Sequence, residues 1–138
     1  MTEYVAGFLF DRDKVALVRK NRPSWQAGKF NGIGGHVETG ENPINAVARE
    51  FEEETGYFTY ACEWYHFCTL SGEDWTVHFY YIGGDSSALR TTTDEEIVVI
   101  PVSEVTTKNC IPNLTWLIPM AKNMVAERAK HFSVKENY

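Results

Sequence analysis

The chain lacks any apolar run near the roughly 20 residues that a membrane-spanning helix needs, and its start carries no secretory-signal pattern, so we expect a protein of the cytoplasm that does not enter a membrane. It is poor in cysteine: Cys62, Cys68 and Cys110 are odd in number and have no CxxC spacing, which excludes a disulfide scaffold and a zinc ribbon. It has no excess of positive charge. The net charge of −6 argues against a stable nucleic-acid partner or an anionic-membrane binder, while a phosphate-rich ligand stays open if metal ions supply charge locally. No G-x-x-x-x-G-K-[ST] occurs, and the Gly32-Ile33-Gly34-Gly35 run fails as a dinucleotide fingerprint because its third glycine would fall at Val37. No internal repeat, linker or low-complexity segment interrupts the 138 residues, which we read as one domain, 1–138, long enough for its own core. Hydrophobic content of 43% and charged content of 23% are those of an ordinary globular chain.

What the chain has in abundance is glutamate at one place: four in the five residues Glu50 to Glu54. The residues around them predict a helix. Asn42 suits the N-cap, Pro43 the first helical position, and Gly56 a left-handed terminator. Ile44, Val47, Ala48, Phe51 and Thr55 recur at helical spacing and form the buried stripe. At about 100° per residue, Glu50, Glu53 and Glu54 gather in a sector of roughly 100° beside that stripe, with Arg49 one turn before Glu53. Like charges so placed repel by roughly 0.3–0.5 kcal/mol per exposed pair, and a hard divalent cation bridging them to a phosphate is the natural offset.

Gly35, Glu41, Arg49, Glu50, Phe51, Glu53, Glu54, Gly56 and Tyr57 together resemble the Nudix box, G-x5-E-x7-R-E-U-x-E-E-x-G-U, with nine constrained positions met in 23 residues. Tyr57 is the looser fit, since an aliphatic residue is more usual there. The resemblance implies an α/β/α sandwich, an α+β fold with a mixed β-sheet between helices. It implies hydrolysis of a phosphoanhydride, with Mg²⁺ (or Mn²⁺ as substitute) held by Glu50, Glu53, Glu54 and the carbonyl of Gly34. In that reading Arg49 orients a glutamate and Glu41 braces the loop. The general base is Glu50 or a carboxylate of the Asp94-Glu95-Glu96 trio. His36 is read as solvent-facing, and His66, His78 and His131 as structural.

Upstream and downstream segments look like the MutT-type branch, which hydrolyses nucleoside triphosphates, including oxidised ones, to a monophosphate and pyrophosphate. The substrate residues this implies are Asn31 and Asn113 on a base edge, Trp116 and Leu117 as an apolar wall, and Arg19 near the phosphates. The two aspartates usual after the pocket proline are replaced by Asn113 and Leu114, a departure that bears on oxidised guanine. Hydrolysis of another nucleoside diphosphate derivative, an ADP-sugar or dinucleoside polyphosphate, is the alternative enzyme reading, and a non-catalytic nucleotide sensor the alternative class. A monomer and a homodimer are both compatible with the sequence.

The remaining elements are predicted as follows. Tyr4–Phe10 and Val15–Arg19 form a hairpin around Asp11-Arg12-Asp13. Asn31–Val37 is a glycine-interrupted strand or loop. Phe58–Leu70 is β-prone, Trp75–Ile82 is its partner with Trp75, Val77, Phe79 and Tyr81 on one face, Gly83–Thr93 is a loop, and Ile97–Val102 is a strand. Leu117, Met120, Ala121, Met124 and Val125 predict a closing helix, with a break or fresh start at Pro119. Residues from Ser133 onward are expected to fray.

Overall fold

The computed structural model describes residues 1–127 and 132–136. The strands are β1 (Thr2–Asp11), β2 (Lys14–Arg19), β3 (Phe30–Asn31), β4 (Ile33–His36), β5 (Tyr65–Ser71), β6 (Trp75–Gly83), β7 (Ile97–Pro101) and β8 (Phe132–Lys135). The helices are α1 (Pro43–Thr55) and α2 (Leu114–Glu127). The strands form one mixed sheet in the order β3-β2-β1-β6-β5-β8, with β4 on β1 and β7 on β2. β1 and β6 run parallel, whereas β1 pairs antiparallel with both β2 and β4.

Alternation along β1 explains the layers. Ala6, Phe8 and Phe10 enter a core shared with Leu114, Leu117, Ile118 and Ala121 of α2. Val5 and Leu9 enter a second core with Ala46, Val47 and Phe51 of α1. A sheet covered on both faces by helices is the expected α+β sandwich. Burying Val47 and Phe51 completely contributes roughly 1.5–3 kcal/mol each, which anchors α1 in one orientation on the sheet. The anticipated face of β6 is present: Phe79 is in the α2-side core, with Trp75, Val77 and Tyr81 packed on it.

Three expectations are corrected. The β-prone segment forms a strand only from Tyr65; Ala61–Glu63 is a 3-10 turn, in which the Tyr60 N–H is capped by Glu63 at 2.8 Å. The closing helix runs unbroken through Pro119. The carbonyl that loses its partner there is that of Thr115, an exposed residue in the first turn, where water can serve, while the buried Leu117 and Ile118 hold the helix down. Ser133 does not begin a frayed tail: β8 pairs in parallel with β5 from Cys68↔Phe132 to Ser71↔Lys135, and the Glu136 N–H continues onto the Ser71 carbonyl at 2.9 Å. The edge of β5 would otherwise present unpaired backbone groups, and Val134 adds an apolar contact to the α2-side core. His36 is exposed at the end of β4, as expected, with its ring 4.6 Å from that of Tyr4. His66 and His78 pack on each other in the sheet at 5.6 Å, as structural histidines would, and His131 lies outside the described residues. No helix among the described residues is long and apolar enough to cross a membrane.

Candidate active site

α1 begins and ends as its sequence dictates. The Asn42 side chain accepts from the Ile44 N–H at 3.3 Å, Pro43 follows, and Gly56 closes the helix at φ 72° with its N–H on the Glu52 carbonyl. These caps fix the rotation at which Arg49, Glu50, Glu53 and Glu54 leave the helix.

Arg49 is a splint. Its Nε and Nη2 donate to both oxygens of Glu41 at 2.8 and 3.0 Å, its Nη1 donates to Glu50 at 3.0 Å and to Glu53 at 3.3 Å, and Nη2 also reaches the His36 carbonyl at 3.0 Å. Glu41 in turn accepts from the Glu38 N–H at 3.0 Å. A planar guanidinium with five donors suits this many-sided role, which an ammonium could not fill. The pairing with Arg49 holds the Glu41 carboxyl below its usual range and pushes the guanidinium further up.

The three helix carboxylates stand in different surroundings. Glu53 is exposed. Glu50 is partly buried, and burial raises its carboxyl against the opposing pull of Arg49. Glu54 is the most enclosed: burial pushes it up to about 7, the nearby Lys20 ammonium draws it back, and its Oε2 is buried with no hydrogen-bond partner. A buried acceptor left open costs about 1–3 kcal/mol unless something fills it. As placed, no three carboxylates among the described residues surround a common point, because Arg49 draws Glu50 and Glu53 to itself.

β4 approaches this flank closely. A Cβ on Gly35 would fall 2.7 Å from the Glu50 carboxylate, so only glycine leaves room for that side chain. A Cβ on Gly34 would lie 1.9 Å from the Val5 carbonyl oxygen of β1, so this glycine is required by strand approach.

Paired residues on antiparallel strands share a face. Val18 pairs with Asn31, and both Val18 and Ile33 belong to the α1-side core, so Asn31 stands on the same face as the carboxylates. Arg19 pairs with Phe30, which belongs to the α2-side core. The Arg19 guanidinium lies 5.1 Å from the Phe30 ring centroid and 3.5 Å from Glu96. The expectation for Arg19 is thereby corrected: the cation on the carboxylate side is its neighbour Lys20. Lys20 Nζ donates to Glu95 at 3.1 Å, with the two side chains only 19% and 7% exposed.

The acidic trio before β7 separates into three tied groups. Asp94 pairs with Arg22, and its carbonyl accepts from Asn21 Nδ2 at 2.6 Å. Glu96 pairs with Arg19. Glu95 is buried; burial would raise its carboxyl, but the Asn21 N–H at 2.6 Å, Lys20 and the Arg22 N–H outweigh that and hold it below the usual range. The loop carrying Glu95 is strapped to the end of α1 by the Arg90 N–H on the Thr55 carbonyl, at 3.1 Å, and by the Thr92 hydroxyl on the Glu53 carbonyl.

The expected base pocket is divided. Asn31 Oδ1 accepts from the Gly32 N–H at 2.8 Å and its Nδ2 donates to Gln26 at 3.0 Å. Leu117 is completely enclosed in the α2-side core, which corrects the expectation that it presents a wall to a ligand; Trp116 is half-buried against that core. Asn113, whose carbonyl accepts the first helical bond of α2, keeps a buried Oδ1 without a partner. Lys20 and Gln26 are the residues that sequence reading missed. For Lys20 no local signal existed, because apolar residues alternate onto both faces of β2. The amide of Gln26 was visible only as another polar residue in a loop.

The model of the NUDIX domain matches residues 2–118. A Caenorhabditis elegans sequence bearing the name nudix hydrolase 1 is 33% identical over 88 residues, covering 62% of this chain and 23% of that protein, so the chain spans about a quarter of its relative's length. Among solved structures, a MutT protein from Bacillus halodurans superposes with a TM-score of 0.77 at 17% identity, covering 100% of this chain and 90% of that one. The NUDIX domain of Shewanella oneidensis NrtR, complexed with ADP ribose, superposes with a TM-score of 0.76 at 19% identity, covering 89% and 87%. At such identities these two likenesses speak for the fold alone.

Proposed function

The chain belongs to the NUDIX domain family, hydrolases of nucleoside diphosphate derivatives, and from that premise we propose that it is a Mg²⁺-dependent pyrophosphohydrolase of nucleoside triphosphates. Residues 1–138 act in this reading as one catalytic domain in the cytoplasm, on a nucleotide and without a stable nucleic-acid or membrane partner. The net charge of −6 and the free state of Cys62, Cys68 and Cys110 support it.

The observation that carries the proposal is Glu54. Its buried, unpartnered oxygen stands on the flank of α1 beside Glu50, where a carboxylate is costly without a cation and useful with one. A hard oxygen-ligand ion fits this donor set, and Glu50, Glu53, Glu54 and the Gly34 carbonyl would hold it. When bound, magnesium neutralises phosphate charge and makes the attacked phosphorus more electrophilic.

The chain's own residues supply the rest. Arg49 holds Glu50 and Glu53 in place and, with all its bonds directed at protein, is a positioning residue. Lys20 offers a cation on the carboxylate side of the sheet, where phosphate oxygens would lie. Glu50 is the favoured base for the attacking water: burial raises its proton affinity even against the paired Arg49, whereas their partners hold Asp94 and Glu95 below the usual carboxylate range and Glu96 is turned to Arg19. Water attacks a phosphorus of the triphosphate, the bridging oxygen leaves with pyrophosphate, and a nucleoside monophosphate is released.

The test is Glu53→Gln with Glu54→Gln, assayed by pyrophosphate release with Mg²⁺. We expect a fall of orders of magnitude with circular dichroism unchanged; full activity in the double variant would refute the assignment. ADP-ribose and diadenosine polyphosphates in the same assay separate the triphosphate reading from the alternative substrates, and absence of turnover on all of them would identify a sensor.

A further inference from the structure

Two amides on the carboxylate side of the sheet form a unit whose polarity is set by the backbone. The Gly32 N–H can only donate, so the Asn31 atom it meets at 2.8 Å is the oxygen Oδ1. Asn31 Nδ2 must then face Gln26, and the atom it meets at 3.0 Å is the Gln26 oxygen. Both amide oxygens are thus engaged with protein donors. What the pair has left is N–H: one on Asn31 Nδ2 and two on Gln26 Nε2, none with a partner among the described residues. Both residues are partly buried.

Their position relative to the carboxylates is fixed by strand geometry. Asn31, Ile33 and Gly35 alternate onto the α1 side, and Gly35 abuts the Glu50 carboxylate. Four residues of strand span about 13 Å, the order of the reach from the phosphates of a nucleotide to the far edge of its base. A nucleotide with its phosphates at Glu50 and Glu54 therefore brings a base edge to Asn31 and Gln26.

We propose that Gln26, oriented by Asn31, reads the base of the substrate and selects an edge made of adjacent acceptors. It rests on the nucleotide-hydrolase reading above and sharpens it to a substrate class. Guanine and hypoxanthine offer O6 and N7 as two neighbouring acceptors, whereas adenine offers N7 beside an N6–H₂ donor. Oxidation of guanine at C8 turns N7 into an N–H donor, which would meet the amide donors head-on. The pair therefore favours unoxidised 6-oxopurine nucleotides over both 6-aminopurine and 8-oxoguanine nucleotides.

The experiment observes the side-chain amide resonances of Gln26 and Asn31 by ¹⁵N NMR during titration with GMP, IMP, AMP and 8-oxo-GMP. In parallel, pyrophosphate release is measured from the four triphosphates. Both resonances should move with GMP and IMP at concentrations where AMP and 8-oxo-GMP leave them still. Gln26→Glu keeps the acceptor for Asn31 but replaces the free donors with a second acceptor. It should lower the GMP:AMP affinity ratio by roughly tenfold or more. Gln26→Leu should lower GMP binding without raising AMP binding. A Gln26 resonance unmoved by GMP, or an unchanged ratio in Gln26→Glu, overturns the inference. Resonances that respond as expected in a protein that hydrolyses no triphosphate would retain this inference and refute the functional reading. Equal turnover of all four triphosphates, indifferent to Gln26, would do the reverse.

Discussion

In the proposed site, Glu54 links metal binding to stability through a single proton. Its carboxyl is raised from 4.5 to about 7 in the folded chain, chiefly by burial, so the folded state binds the proton more tightly than the unfolded one. The associated stabilisation is complete below about pH 4.5 and is lost as pH rises through about 7, amounting to roughly 3–3.5 kcal/mol. Glu50 acts in the same direction and Glu41 and Glu95 in the opposite one, so the total pH profile mixes signs. The difference between wild type and Glu54→Gln isolates the one group. Thermal melts of the metal-free protein should show the variant gaining on wild type between pH 5 and pH 8. Magnesium should stabilise wild type more at pH 8 than at pH 5, and should stabilise the variant little. Parallel melting curves across that range would mean that Glu54 is not the enclosed acid described here.

β4 frames the flank with two adjacent glycines that can be told apart by experiment. In Gly35→Ala the new methyl meets the end of a flexible glutamate, so the fold should survive while Glu50 is displaced. A displacement of that size can lower turnover by roughly 10²-fold, with Tm little changed. In Gly34→Ala the methyl meets the Val5 backbone, which cannot give way, so the β1–β4 pairing and Tm should suffer along with activity. At α2, Pro119→Ala restores an N–H for the Thr115 carbonyl and should stabilise the protein by about 1–3 kcal/mol, read as a rise in Tm. The contrast between the helices shows what local sequence can convey. α1 was legible down to its caps, because capping, helical periodicity and the glutamate cluster all act within one or two turns. Pro119 misled, because its neighbours Leu117 and Ile118 bury enough apolar surface to override one missing hydrogen bond. β8 was illegible for the opposite reason: it is a short strand whose partner, β5, is remote in sequence.

Across the whole molecule, the sandwich was legible because both faces of its central strands are apolar and two amphipathic helices are available to cover them. That same symmetry hid which charged residues meet. With apolar residues on both sides of β2, nothing local says that Arg19 turns to Phe30 and Lys20 to Glu95; only the pairing of β2 with β3 and β7 decides it. The residues that carry the account therefore come from α1, from β4, and from the ends of β2 and β3, and they assemble only when the sheet does. The central claim is that α1 holds a divalent cation against a polyphosphate chain. Its most direct measurement is anomalous diffraction from crystals of the protein grown with Mn²⁺ and a non-hydrolysable nucleoside triphosphate. We predict a manganese peak bonded to oxygens of Glu54 and at least one of Glu50 and Glu53, and to a phosphate oxygen of the ligand. A nucleotide bound elsewhere, with no manganese on these carboxylates, would contradict the account.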